Sequence, residues 1–83
     1  MYWIRDIYGD YINISMAKSI YVETFPDEQS LTDKCTVVVE IDNCYYYLWA
    51  EKPASNESKD IDKTIAKAHL FIDAIVQRLN SAE

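Results

Sequence analysis

Apolar positions in this chain follow two rhythms, one in the last third and another before it. From Ser58 to about Asn80, Ile61, Ile65, Ala68, Ile72, Ile75 and Leu79 recur at alternating steps of four and three. That spacing puts them on one face of an α-helix, with Phe71 and Val76 flanking the stripe. Ser58 is the expected N-cap, Asp60 and Asp62 suit the positive first turn, and Arg78 suits the last. Asn80 can adopt the left-handed stop. A helix of this length is roughly 30 Å long, enough to cross a small sheet.

Upstream the period shortens to two. Cys35 to Ile41 and Cys44 to Ala50 read as strands joined by Asp42-Asn43, residues that tolerate the positive φ of a tight primed turn. The resulting register sets Ile41 against Cys44, Val39 against Tyr46, Val37 against Leu48 and Cys35 against Ala50 on one side. Glu40 with Tyr45, Val38 with Tyr47 and Thr36 with Trp49 fall on the other. Ser19 to Phe25 is a further strand, with Ile20, Val22 and Thr24 on one face and Tyr21, Glu23 and Phe25 opposite; Pro26 stops it. Residues 2–8 read as a first strand, Gly9-Asp10 as a turn, and Tyr11 to Ile14 as a short extended piece. Met16-Ala17-Lys18 suits a turn or a bulge, Asp27 to Lys34 a polar loop, and Lys52-Pro53 the end of the sheet.

The expected fold is α+β: one domain over residues 1–83, with an antiparallel sheet of about four strands covered on one face by a single long C-terminal helix. The sheet spans residues 2–50, a connection 51–57 and the helix 58–80. The helix is expected on the Val37, Val39, Ile41, Leu48 face. The opposite face then presents Tyr45, Tyr47 and Trp49 with Val38, joined by Tyr21 and Phe25, and with Glu23, Glu40 and Asp42 near its edge. A one-sided antiparallel sheet normally shows polar residues to water, and this one does not. An apolar patch rimmed by charge marks an interaction site, and Tyr and Trp dominate binding hot spots. The alternative is that the N-terminal segment folds over this face and makes it ordinary core.

Charge narrows the partner. The net charge is −6. Residues 1–58 hold four basic side chains against ten acidic ones, whereas residues 59–83 hold four of each. Direct nucleic-acid binding needs cations to displace counterions from phosphate, so it is disfavoured; attraction to a basic protein surface is open. No signal-peptide pattern or membrane span is recognised. Two cysteines without C-x-x-C spacing fit a reducing, cytoplasmic setting. The hairpin register holds Cys35 and Cys44 roughly 20 Å apart, beyond disulfide reach, so both are expected as buried structural thiols.

Catalytic signatures are lacking. Gly9 is the sole glycine, so there is no phosphate-binding glycine loop, and no zinc spacing or nucleophile elbow is found. His69, Asp73 and Asp62 share one helix edge, too few for a metal site, and an exposed carboxylate-stabilised histidine is the simpler reading. Leu70, between Ala66 and Ala74 and bordered by Lys63, Lys67 and Arg78, is a possible docking ridge, but a single exposed leucine usually carries no function. The expectation is a non-enzyme with no cofactor and no metal.

Tyr11-Ile12-Asn13-Ile14 followed by Ser19-Ile20-Tyr21-Val22 resembles a pattern in small bacterial proteins in which an Ile-Asn-Leu segment leads into a second strand, a hairpin and a helix. The resemblance covers most of the chain in order of elements. It implies the sheet-plus-helix layout and brings no assigned activity. The long helix bordered by cations departs from those proteins, which usually end in a shorter acidic one. In size, acidity and lack of catalytic motifs the chain is also similar to small phage-encoded inhibitors, including anti-CRISPR proteins. These readings converge on a small acidic protein-binding module that occludes a basic nucleic-acid-binding surface of its target. Its expected contact residues are Tyr21, Glu23, Val38, Glu40, Asp42, Tyr45, Tyr47 and Trp49. The alternative is a homodimeric structural or regulatory bacterial domain.

Overall fold

The computed structural model describes residues 2–26 and 33–81. It is an α+β protein, but the strands divide into two antiparallel sheets rather than one. Strands β1 (Trp3–Arg5) and β2 (Tyr11–Asn13) form a short ribbon, followed by a 3₁₀ turn over Ile14–Met16. Strands β3 (Ser19–Pro26), β4 (Asp33–Ile41) and β5 (Cys44–Glu51) form the main sheet in the order β3-β4-β5, and α1 (Ser58–Ser81) closes the chain. Asp33 and Lys34, expected in a loop, belong to β4; the remainder of that loop, residues 27–32, lies outside the described residues.

The ribbon separates from the main sheet because its own turn folds it back. The Asp6 carboxylate is buried and accepts hydrogen bonds at Oδ1 from the amides of Tyr8 (2.9 Å) and Asp10 (2.8 Å). Aspartate commonly satisfies a turn in this way. Gly9 supplies the positive φ, +91°, that the turn needs. Ile4 then pairs with Ile12, and one backbone bond, from the Ile7 amide to the Tyr47 carbonyl (2.9 Å), ties the loop to the outer edge of β5. The pairing expected of a fourth strand shrinks to that single contact.

Helix α1 lies on the face that carries Val37, Val39 and Leu48. Ala68 and Ile75 enter the core with them, and Ile72, Leu79 and Phe71 pack at its border. Burying each of the large aliphatic side chains contributes about 1.5–3 kcal/mol before entropy is counted. The stripe therefore lies where its period puts it, with two changes. Thr64 is buried within it, its hydroxyl donating to the Asp60 carbonyl (3.1 Å), and Val76 lies at the surface rather than widening the stripe. The helix cap falls one residue before Ser58, because the Glu57 carbonyl accepts the first helical bond, from Ile61 (3.1 Å).

The N-terminal ribbon packs on the same side as the helix. Ile14 is in the core, Tyr2 and Ile4 border it, and the Arg78 guanidinium sits 5.3 Å from the Tyr2 ring centroid. Helix and ribbon thus share one face of the main sheet, and the ribbon does not supply a cover for the other.

Candidate functional site

The β4–β5 hairpin turns as its sequence predicts. Asp42 and Asn43 have φ of 51° and 65°, both positive as a type I′ turn requires. Ile41–Cys44, Glu40–Tyr45, Val39–Tyr46 and Val38–Tyr47 pair as expected. Beyond Tyr47 the register slips: Val37 faces Trp49, Thr36 faces Ala50 and Cys35 faces Glu51. Leu48 is the extra residue of a β-bulge, which resets the alternation of everything after it.

The bulge corrects the expected contact face. Trp49 turns toward the helix and packs against the core, its ring 6.4 Å from that of Phe71. It is removed from the candidate surface. Regular alternation carried through the bulge put it on the wrong side.

Most of the remaining contact residues do converge. Tyr21, Val38 and Tyr47 form one row across the three strands, and Glu40 with Tyr45 forms the next. Glu23 lies two residues along β3 from Tyr21, and Phe25 meets the Tyr47 ring edge-on at 6.4 Å. Asp42 stands apart, at the turn. No element among the described residues lies across this face, and Tyr45 and Tyr21 are 57% and 37% exposed. Val38 is nevertheless 1% exposed, so the neighbouring side chains, not another layer of chain, shield it.

The face is polarised by its carboxylates. The Tyr21 hydroxyl is held above its ordinary pKa first by desolvation and then by the negative charge of Glu23, with Tyr45, Glu40 and Tyr47 adding to it. Glu40 also accepts a hydrogen bond from the Ser19 hydroxyl at 3.3 Å. Tyr21, Glu23, Val38, Tyr45 and Tyr47 line a concavity of about 260 Å³.

A larger concavity of about 600 Å³ lies between the 3₁₀ turn, the start of β3 and the last turns of α1. Ile20, Ile72, Val76 and Leu79 line it, and Lys18 is the one charged group on its wall. Ser15, Ser19 and Asn80 add polar groups to its wall, and none of the expected contact residues lines it.

Sequence reasoning missed a second set of exposed rings. Trp3 and Tyr11 share the outer face of the ribbon, opposite Ile4 and Ile12, and Tyr8 caps its turn; they are 54%, 69% and 74% exposed. The signal was the alternation of Trp3 and Arg5 around Ile4, obscured by reading residues 2–8 as one strand of the main sheet.

The two cysteines differ in a way the sequence did not suggest. Cys35 is buried, and burial raises its thiol, with Asp33 and Glu51 adding to the effect; Cys44 is exposed beside the hairpin turn and is not a buried structural thiol. Iodoacetamide is therefore expected to label Cys44 alone in the native protein and both thiols in urea. Native labelling of Cys35 at the rate of Cys44 contradicts this packing.

His69, Asp62 and Asp73 are all exposed on the helix. Among the described residues no group of three or more His, Cys, Asp or Glu could hold a metal ion. Leu70 is 69% exposed, with Ala66 and Ala74 exposed a turn away. No helix among the described residues is long and apolar enough to cross a membrane.

Searches against protein-family models, curated proteins and solved structures returned no match for this chain.

Proposed function

We propose that this chain is a small acidic, non-catalytic binding protein that docks the outer face of its three-stranded sheet on a basic protein surface. One observation carries the reading: Tyr21, Tyr45 and Tyr47 lie on a sheet face that no described element covers, beside Glu23 and Glu40. Exposed rings supply contact area at low entropic cost, and the carboxylates choose a cationic partner. The net charge of −6 adds long-range attraction to such a surface. The nucleic-acid channels of other proteins are basic surfaces of this kind. The concrete form of the proposal is a cytoplasmic inhibitor of phage or mobile-element origin, anti-CRISPR-like in acting by occlusion.

The test is retention on the immobilised protein. A basic nucleic-acid-binding protein should be held, released by salt rising from about 0.1 to 1 M, and displaced by duplex DNA. Retention insensitive to both salt and DNA rejects occlusion of a basic surface.

The same open face suggests a second arrangement, two copies packed back to back as a homodimer. Such a pair brings Glu23 and Glu40 of one copy toward those of the other, and like charges oppose it. Light scattering at high micromolar concentration separates the two: a monomer is expected, and a dimer abolished by Tyr45→Ala replaces the proposal with a homodimeric structural domain.

A further inference from the structure

One edge of the main sheet ends without a partner, and the helix overhangs it. In the order β3-β4-β5 both outer strands are edges. That of β5 is interrupted by the bulge at Leu48 and by the bond from the Ile7 amide to the Tyr47 carbonyl. Strand β3 differs, pairing with β4 from Ser19 to Pro26 without a register shift. Which of its backbone groups point outward follows from the hairpin. The two-residue turn makes Ile41 and Cys44 a hydrogen-bonded pair, and such pairs alternate along an antiparallel ladder. Val39 therefore bonds toward β5, whereas Glu40, Val38 and Thr36 bond toward Ser19, Tyr21 and Glu23 of β3. The amides and carbonyls of Ile20, Val22 and Thr24 are left on the outer edge, and no hydrogen bond among the described residues engages them. Lys18 and Pro26 bound this segment: the Lys18 amide donates to the Glu40 carbonyl (2.8 Å), and proline has no amide.

The helix supplies the second half of the site. Phe71 packs toward Trp49 of β5, and the helical period puts Ile72 and Val76 on the opposite flank, beside Ile20. Three strands span only about 10 Å between their outer backbones, no more than the width of one helix. Val76 is accordingly 42% exposed, and with Ile20, Ile72 and Leu79 it lines the concavity of about 600 Å³ beside the start of β3. A strand added about 4.8 Å beyond β3 sets its inward side chains against Ile72 and Val76. Lys18 on the same wall disfavours a cation there. The outward side chains of that strand stand next to Tyr21 and Glu23 and continue the outer face. A long, regular edge whose inward side chains carry no charge is a template for such pairing. We propose that the β3 edge receives an antiparallel strand of the docked partner, with apolar side chains inward and lysine or arginine outward. A second copy of this chain is the poorer fit. Two β3 edges paired about Val22 set Glu23 diagonally across from its own copy, and each chain carries a net charge of −6. The cationic character of the strand rests on the docking face described above; the open edge does not.

The experiment is titration of the ¹⁵N-labelled full chain with acetylated, amidated Val-Lys-Val-Lys-Val, read by amide shifts and hydrogen exchange. Saturable shifts along β3 are expected, with exchange slowed at Ile20, Val22 and Thr24 and unchanged at Tyr21 and Glu23. N-methylation of the three valine nitrogens, which face β3 in this register, should weaken binding by about tenfold or more. N-methylation of the two lysine nitrogens, which face away, should not. Val76→Lys, at an exposed position, should weaken binding by about threefold or more and leave the rest of the amide spectrum in place. Val-Glu-Val-Glu-Val should bind about tenfold more weakly than the lysine peptide. Equal losses from the two methylation patterns, or shifts centred away from β3, overturn strand addition. Equal binding of the glutamate peptide overturns the cationic partner. Slow exchange at the three amides without peptide, lost on dilution, gives the edge to a second copy and overturns the proposal as well. If the lysine peptide fails while salt-sensitive retention of a basic protein persists, strand addition falls and the docking face stands. If the peptide pairs with β3 but no basic protein is retained, the edge site stands and the occlusion reading falls.

Discussion

Trp49→Ala is expected to cost about 2–4 kcal/mol of folding stability, against about 0.5 kcal/mol or less for Tyr45→Ala. The two rings lie four residues apart on one strand, and unbroken alternation would put them on the same face. The bulge at Leu48 separates them: Trp49 packs against the core beside Phe71, and Tyr45 stays 57% exposed. A fully buried tryptophan cut to alanine loses about 3–5 kcal/mol, and Trp49 is half-buried, so the lower range applies. A chain of this length has about 4–12 kcal/mol in total, which makes the loss a large share. The thermal midpoint should fall by about 10–20 °C. Urea melts of both variants against the parent provide the measurement. Equal, small losses would return Trp49 to the outer face and remove the bulge from the account.

That contrast also shows what the sequence could and could not convey. The Asp42-Asn43 turn was legible because few residue types accept two successive positive φ values. The helix stripe was legible because Ile61 to Leu79 keep one period over five turns. The faces of β3 were equally plain, since Ile20 and Val22 alternate with Tyr21 and Glu23. In β5 the run Tyr45 to Trp49 is apolar at every position. No polar residue there fixes which side faces water, and a one-residue slip leaves the pattern looking the same. Only the packing of Leu48 and Trp49 against the helix decides it. The first fourteen residues failed differently. Their strands are three residues each, too short for periodicity to speak, and their fold is set by a buried Asp6 carboxylate whose role is visible only once the turn is formed. The outer sheet face was therefore legible in Tyr21, Tyr45, Tyr47, Glu23 and Glu40, and Trp49 was assigned to the wrong face.

Tyr45→Ala combined with Glu23→Lys is expected to weaken retention of a basic partner by about thirtyfold or more while leaving the fold intact. The reasoning separates two contributions. Loss of a hot-spot ring costs about 2 kcal/mol or more, which is a factor of about thirty. Reversal of a rim charge acts chiefly on the association rate and on its dependence on salt. Tyr45 and Glu23 are both exposed, and neither belongs to the hydrophobic core on the helix side. Folding should therefore tolerate the pair, and an unchanged urea midpoint provides the control. The salt dependence carries the sharper information. A partner attracted by the carboxylates should lose part of its salt sensitivity in the Glu23→Lys single variant, whereas Tyr45→Ala should lower affinity at every salt concentration and leave the slope alone. A partner retained equally by the parent and the double variant must bind elsewhere. The exposed rings of the ribbon, Trp3, Tyr8 and Tyr11, would then be the surface to test, because they are the remaining large aromatic exposure among the described residues.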